Sequence, residues 1–336
     1  MTVLSKNWGD LPEELKIAVI LRLDIPGRIK LARTSKEEKE LVDECKPDIV
    51  LPRVDLKIRN GYSRWMIIQP NQSVIETEYL QLEDYVFIRP VGSTKNIPSL
   101  NDSTLDECLQ NLCRIVMEKN ITISTFRLFM TADDRDYTAD TAKLHFNVLC
   151  NRFGEKEHKL KVKRIEIDYS HFTVYEEDML RGLNLLDPET IETIVITGDE
   201  AGAILNCRDV LECDVWMNCR ELICSPSIRQ MESFWDKPIV RTGLLVENGD
   251  FMPRLIRHLQ TKTELKEMII EVCFIGNEML EEGDLSNMLL FDCPISDHLV
   301  INEAENQRHY TIDQPGHHLR LEVWDIKIEF TVQENQ

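Results

Sequence analysis

The spacing of apolar and polar positions along this 336-residue chain changes several times, and each change predicts an element. The segment WGDLPEELKIAVILRL at 8–23 carries Leu11, Leu15, Ile17, Ala18, Val19, Ile20, Leu21 and Leu23. Asp10 is placed as an N-cap, Glu13 follows three residues later, and Pro12 falls in the first turn, so a helix is expected. An ordinary surface helix has one apolar stripe at i, i+3, i+4 and i+7. Here the apolar side chains spread around more than half the circumference. Pro26-Gly27 is expected to break the helix. A second short helix follows through Leu31 and Ala32. Ser35-Lys36-Glu37-Glu38 is a capping box that opens a third helix, which ends before Pro47. Three helices in about forty residues make a very small core, so the apolar surplus of the first helix predicts a covering partner.

Residues 49–102 read as a connecting, strand-rich segment. LPRVDLKIR and RWMIIQP are strand-like, and YLQLEDYVFIRP alternates imperfectly. Ser103 caps a predicted helix whose stripe is Leu105, Cys108, Leu109, Leu112, Cys113 and Val116. A spaced apolar pattern then recurs, with one apolar residue, two others, an apolar residue, one other and a third apolar residue. It reads Ile123/Phe126/Leu128, Val162/Ile165/Ile167, Ile191/Ile194/Ile196, Cys219/Leu222/Cys224 and Leu265/Met268/Ile270. The starts are 39, 29, 28 and 46 residues apart. Weaker copies lie at Arg241/Leu244/Val246 and His318/Leu321/Val323. Helical stretches at 138–150, 174–186 and 250–260 separate the copies. Strand-plus-helix units at such periods predict an irregular solenoid of the leucine-rich-repeat kind over 103–332. The predicted class is α+β or α/β. The alternation at the end of each copy sends Arg164, Glu166, Thr193, Val195, Glu221, Ile223, Ile269 and Glu271 to an exposed sheet face.

Charge narrows the partners. The formal net charge is −20, with 59 acidic against 39 basic residues. Such a balance disfavours nucleic acid and anionic membrane surfaces. No run approaches the length of a membrane span, and MTVLSKNWGD lacks the order of a signal peptide. The ten cysteines are then expected as thiols in a reducing compartment, cytoplasmic and/or nuclear.

Leu11-Pro12, Glu14-Leu15, Val19-Ile20, Leu23, Pro26, Leu31 and Lys36 fall at the spacing of an F-box, and residues 6–48 resemble that family. Trp8 just before Leu-Pro is also common there. The chain departs from the family at Arg28 and Thr34, where an apolar residue is usual, and at Glu38, where Trp is usual. The resemblance implies that Leu11, Pro12, Leu15, Val19, Ile20, Leu23 and Leu31 contact the small adaptor subunit of SCF ubiquitin ligases, with a cullin engaged indirectly. An F-box followed by LKVKRIEID, IETIVITG and LKEMIIEV also resembles the nematode F-box A group with its FTH-type associated domain. That resemblance implies a non-enzymatic, substrate-recruiting role. The target face is then sought at Arg164, Glu166, Thr193, Glu221 and Glu271, with a protein target whose identity is open.

No motif for catalysis or phosphate binding occurs. Cys207, Cys213, Cys219 and Cys224 lie within 18 residues, but the gaps are not those of a zinc knuckle. Two of the four fall on repeat core slots, so buried thiols are expected and neither metal nor cofactor. His317-His318 reads as surface, and Asp133-Asp134-Arg135-Asp136 as a solvated turn. The alternatives are an F-box scaffold or regulator outside any ligase, and a small-molecule binder or enzyme beginning with a helical hairpin.

Overall fold

The computed structural model describes residues 8–23, 25–45, 48–82, 85–93, 95–99, 103–117, 121–130, 139–168, 176–197, 204–205, 208–228, 234–246, 251–261, 265–275, 278–279, 308–314, 317–323 and 327–333. The chain is a mixed α/β protein with one large sheet. Three short helices come first: α1 (Glu13–Ile20), α2 (Ile25–Ala32) and α3 (Lys36–Glu44). The first differs from expectation at both ends. Asp10 closes a 3-10 turn (Trp8–Asp10), and Pro12 is the N-cap, with no side-chain cap bond. The helix stops at Ile20, before Pro26-Gly27, which instead lies in the first turns of α2. Proline is tolerated there because first-turn amides have no intrahelical acceptor. The capping box is present: the Ser35 hydroxyl accepts from the Glu38 amide at 3.1 Å.

Strands β1 (Ile49–Arg59), β2 (Tyr62–Ile68), β3 (Val74–Leu82), β4 (Tyr85–Pro90) and β5 (Ile97–Pro98) form an antiparallel meander. Gly61 takes φ 63° at the β1–β2 turn, a region glycine enters without steric cost. Next come β6 (Ile121–Met130), β7 (Val162–Asp168), β8 (Thr193–Thr197), β10 (Glu221–Ile228), β11 (Ile239–Val246) and β12 (Glu267–Ile275). The two-residue β9 (Ile204–Leu205) pairs with β10, and β13 (Glu278–Met279) with β12. With β1 beside β6, the strands β1-β6-β7-β8-β10-β11-β12 are all parallel and, from β6 onward, ordered as in the chain. Residues 49–98 therefore extend the same sheet as the later strands rather than only connecting two units.

The helices α4 (Thr104–Val116), α5 (Ala139–Gly154), α6 (Glu176–Leu183), α7 (Arg208–Leu211), α8 (Asp214–Asn218) and α9 (Phe251–Gln260) lie between strands in sequence. Steps to the next parallel strand, always in the same direction, put right-handed crossovers on one side of a sheet. Accordingly α4, α5, α6, α8 and α9 bury their apolar stripes in one continuous core. Val54, Leu56, Phe126, Leu128, Ile165, Ile194, Leu222, Val240 and Met268 supply the sheet side of that core. The expected α4 stripe is buried in full.

The spaced pattern has a copy that apolar spacing alone hides. The weak copy at Arg241/Leu244/Val246 is not the register used. Strand pairing aligns Val240 with Leu222 and Met268, and Thr242 with Cys224 and Ile270. The true copy is thus Lys237/Val240/Thr242, and all three residues are buried. A further copy, Leu51/Val54/Leu56, starts the series in β1. The end of the chain departs from strand–helix alternation. Strands β14 (Arg308–Gln314), β15 (His317–Val323) and β16 (Lys327–Gln333) are antiparallel and join the sheet beside β12. Two residues separate β14 from β15, far too few for a parallel crossover.

Candidate functional site

Two surfaces carry the residues singled out by the sequence. The first is α1. Leu15 is 52% exposed, Leu21 48% and Val19 39%. Pro12 is exposed, while Leu11, Leu23 and Leu31 are half-buried. Ile20 is a correction: it is fully buried, because helical spacing turns it away from Leu15 and Val19 and toward α2 and α3. Ile20 and Val42 are buried outside the continuous core, so the three helices have a small core of their own. Each such side chain contributes about 1.5 to 3 kcal/mol.

The departures at Arg28 and Glu38 have local causes. Arg28 donates from Nε to the Ile20 carbonyl at 3.2 Å, an acceptor it shares with the Leu23 amide, and so places a cation at the C-terminus of α1. Glu38 accepts from the Trp8 indole N–H at 2.9 Å and from the Ser35 hydroxyl. The Ser35 and Trp8 hydrogen bonds hold the Glu38 carboxyl below its ordinary pKa. A carboxylate here pins the entry turn to the start of α3.

The second surface is the sheet face turned away from the helices. Pairing puts Arg53, Thr125, Arg164, Thr193, Glu221, Ile239 and Glu267 in one row across it. The next row on that face runs Asp55, Arg127, Glu166, Val195, Ile223, Arg241 and Ile269. Charges along these rows are matched. Arg53 binds Asp55 at 2.7 Å, and Arg164 binds both Glu166 at 2.7 Å and Glu221 at 3.2 Å. Arg127 meets Glu166 at 2.6 Å, and Arg241 meets Glu267 at 2.8 Å. Three of the expected target residues, Arg164, Glu166 and Glu221, are therefore brought together as one ion-pair cluster.

Thr193 and Val195 are corrections to the expectation of exposure, since each is only 8% exposed. Thr193 donates to Glu221 Oε2 at 2.9 Å, with Arg164 converging on the same oxygen, so longer neighbours cover it. Val195 lies between Glu166 and Ile223 in register. Glu271 lies in β12, but its side chain is outside the described residues, as are Cys207, the side chains of His317-His318 and the 133–136 turn.

Buried titratable groups lie on the helix side. Burial raises the Cys113, Cys150 and Cys224 thiols to about 12, so these are neutral packing groups. Cys219 donates to the Trp216 carbonyl at 3.1 Å. Among the described residues, no group of three or more His, Cys, Asp or Glu side chains is placed to hold a metal. Among them also, no helix is long and apolar enough to cross a membrane. Sequence reasoning missed Arg127, Arg241 and Lys57 on the open face. The Leu51/Val54/Leu56 spacing, read as a further copy of the repeat, would have placed Lys57 there. Compared with protein-family models, curated proteins and solved structures, the chain gives no match in any of the three.

Proposed function

We propose that this chain is a substrate-recognition adaptor of an SCF-type cullin–RING ubiquitin ligase. Residues 6–48 act as an F-box that docks the small adaptor subunit. Residues 103–332 act as an irregular leucine-rich-repeat-like solenoid of the FTH type and recruit a protein target. The observation that carries this reading is the solvent-exposed Leu15, Val19 and Leu21 on a three-helix unit with so small a core. Burial of each would contribute about 1.5 to 3 kcal/mol, a gain set against an association cost of about 4 to 15 kcal/mol. The half-buried Leu11, Leu23 and Leu31 extend the same contact.

The sequential order of parallel strands, with the described helices α4 to α9 packed on one side of them, supports the solenoid reading. Such an arrangement leaves a broad face free for a partner. The chain performs no chemistry itself in this reading. Tethering raises the effective concentration of the target near the ubiquitin-charged enzyme, and the reaction belongs to other subunits. Binding of the purified chain to the adaptor subunit, measured by calorimetry beside a Leu15→Asp/Val19→Asp double variant, tests the reading. Wild type is expected to bind and the variant to lose at least about a hundredfold in affinity, through two desolvated contacts. Both side chains are exposed, so the variant keeps its fold. No binding by folded wild type overturns the assignment.

A further inference from the structure

Among the described residues, the charge pairing of the open face gives way to facing cations at Lys57. Across β4, β3, β2, β1, β6 and β7, one row reads Arg89, Glu78, Arg64, Lys57, Phe129, Asp168. Arg89 binds Glu78 at 2.9 Å, and Arg64 pairs with Glu76 on β3. Lys57 stands directly opposite Arg64 on β1–β2, two cations facing across an antiparallel pair. Like charges in that position cost stability. Lys57 has no carboxylate partner among the described residues. Asp168 is two strand spacings away, about 10 Å, with Phe129 between. Arg59, one pleat further along β1, adds a third cation near Lys57. Half-burial and the nearby Arg59 and Arg64 charges lower the Lys57 pKa, as expected for an uncompensated ammonium.

We infer that Lys57, with Arg59 and Arg64, receives a carboxylate from an acidic peptide segment of the recruited partner. The inference rests on the reading of the open face as the target surface, and it adds the chemistry of the target. It also reverses what net charge alone suggests. The −20 total would favour a basic partner, but at 0.15 M salt charges more than about 8 Å away are screened. The cluster therefore decides what is bound beside it. Half-buried Met66 and Ile68 share this face of β2, so an acidic residue flanked by an apolar one fits best.

The test is binding of a fluorescent oligoglutamate peptide to the full chain, followed by anisotropy, with thermal unfolding measured in parallel. Wild type is expected to bind. Lys57→Gln is expected to weaken binding about tenfold and to raise the unfolding midpoint by about 1 to 3 °C, because the facing-cation cost is removed. Lys57→Arg should restore binding. A lower midpoint for Lys57→Gln means that Lys57 is a structural partner and overturns the inference. Equal peptide binding by wild type and Lys57→Gln, no peptide binding at all, or inorganic phosphate competing as well as the peptide also overturns it. None of these results touches the adaptor contact at Leu15 and Val19. A target found to bind at the Arg164–Glu221 cluster and to ignore Lys57 would leave the open-face reading standing without the acidic peptide.

Discussion

Lys237 occupies a core slot that six other copies of the pattern fill with Leu51, Ile123, Val162, Ile191, Cys219 and Leu265. It is 4% exposed and is the first residue of its copy. Its ammonium donates to the carbonyls of Trp216 at 2.5 Å, Cys219 at 3.1 Å and Met217 at 3.4 Å. Those carbonyls lie at the C-terminal end of α8 and its cap, where helical donors run out, so a cation there satisfies acceptors; the Trp216 carbonyl also takes the Cys219 thiol. Lys237→Met is expected to lower stability by about 1 to 3 kcal/mol in urea unfolding, the cost of stranded carbonyls. Unchanged or higher stability would mean that desolvation of the ammonium outweighs its three bonds. The same residue explains why this copy was illegible. Two of its three core slots, Lys237 and Thr242, are polar, so a search for apolar spacing slides four residues along to Leu244 and Val246. Glu38 teaches the opposite lesson: its capping role was readable from Ser35, and only its bond to Trp8 needed the fold.

At the scale of elements, long periodic segments were legible and short ones were not. The stripe on α4 and the strands β6, β7, β8, β10 and β12 follow from spacing because each packs against one continuous core. The short helices α7 and α8 escaped notice, since four- and five-residue helices carry less than two turns of pattern. Spacing predicts a longer α1 than forms, because its apolar residues run on past Ile20 into Leu21 and Leu23. Packing between helices also sets tolerances that spacing cannot show. A Cβ added at Gly182 on α6 would lie 2.6 Å from Cζ of Phe146 on α5, whose ring is buried. Alanine in place of glycine favours a helix by about 1 kcal/mol, but overpacking a core costs about 1 to 3 kcal/mol. Gly182→Ala is therefore expected to destabilise, by about 1 to 2 kcal/mol, in denaturant unfolding. A more stable variant would show that the α5–α6 contact yields without strain.

Among the described residues, α4 to α9 pack on one face of the sheet, and ion pairs cross the other. Parallel strands usually have both faces covered, and among the described residues arginines and glutamates cover this one. Their pairing was beyond the sequence, because partners such as Arg164 and Glu221 are 57 residues apart and meet only through register. The location of the site was partly legible. The exposed side of α1 follows from its apolar surplus, and Arg164, Glu166 and Glu221 follow from alternation. The burial of Ile20 and Thr193 depends on neighbours supplied by other elements.

The central claim is that α1 is the surface a second protein covers while the open sheet face stays free for a target. Hydrogen exchange of the full chain, with and without the adaptor subunit, tests both parts at once. The account predicts added protection across residues 11–31 and none in β6, β7, β8 or β10. Protection spread over those strands, or none in α1, would contradict it.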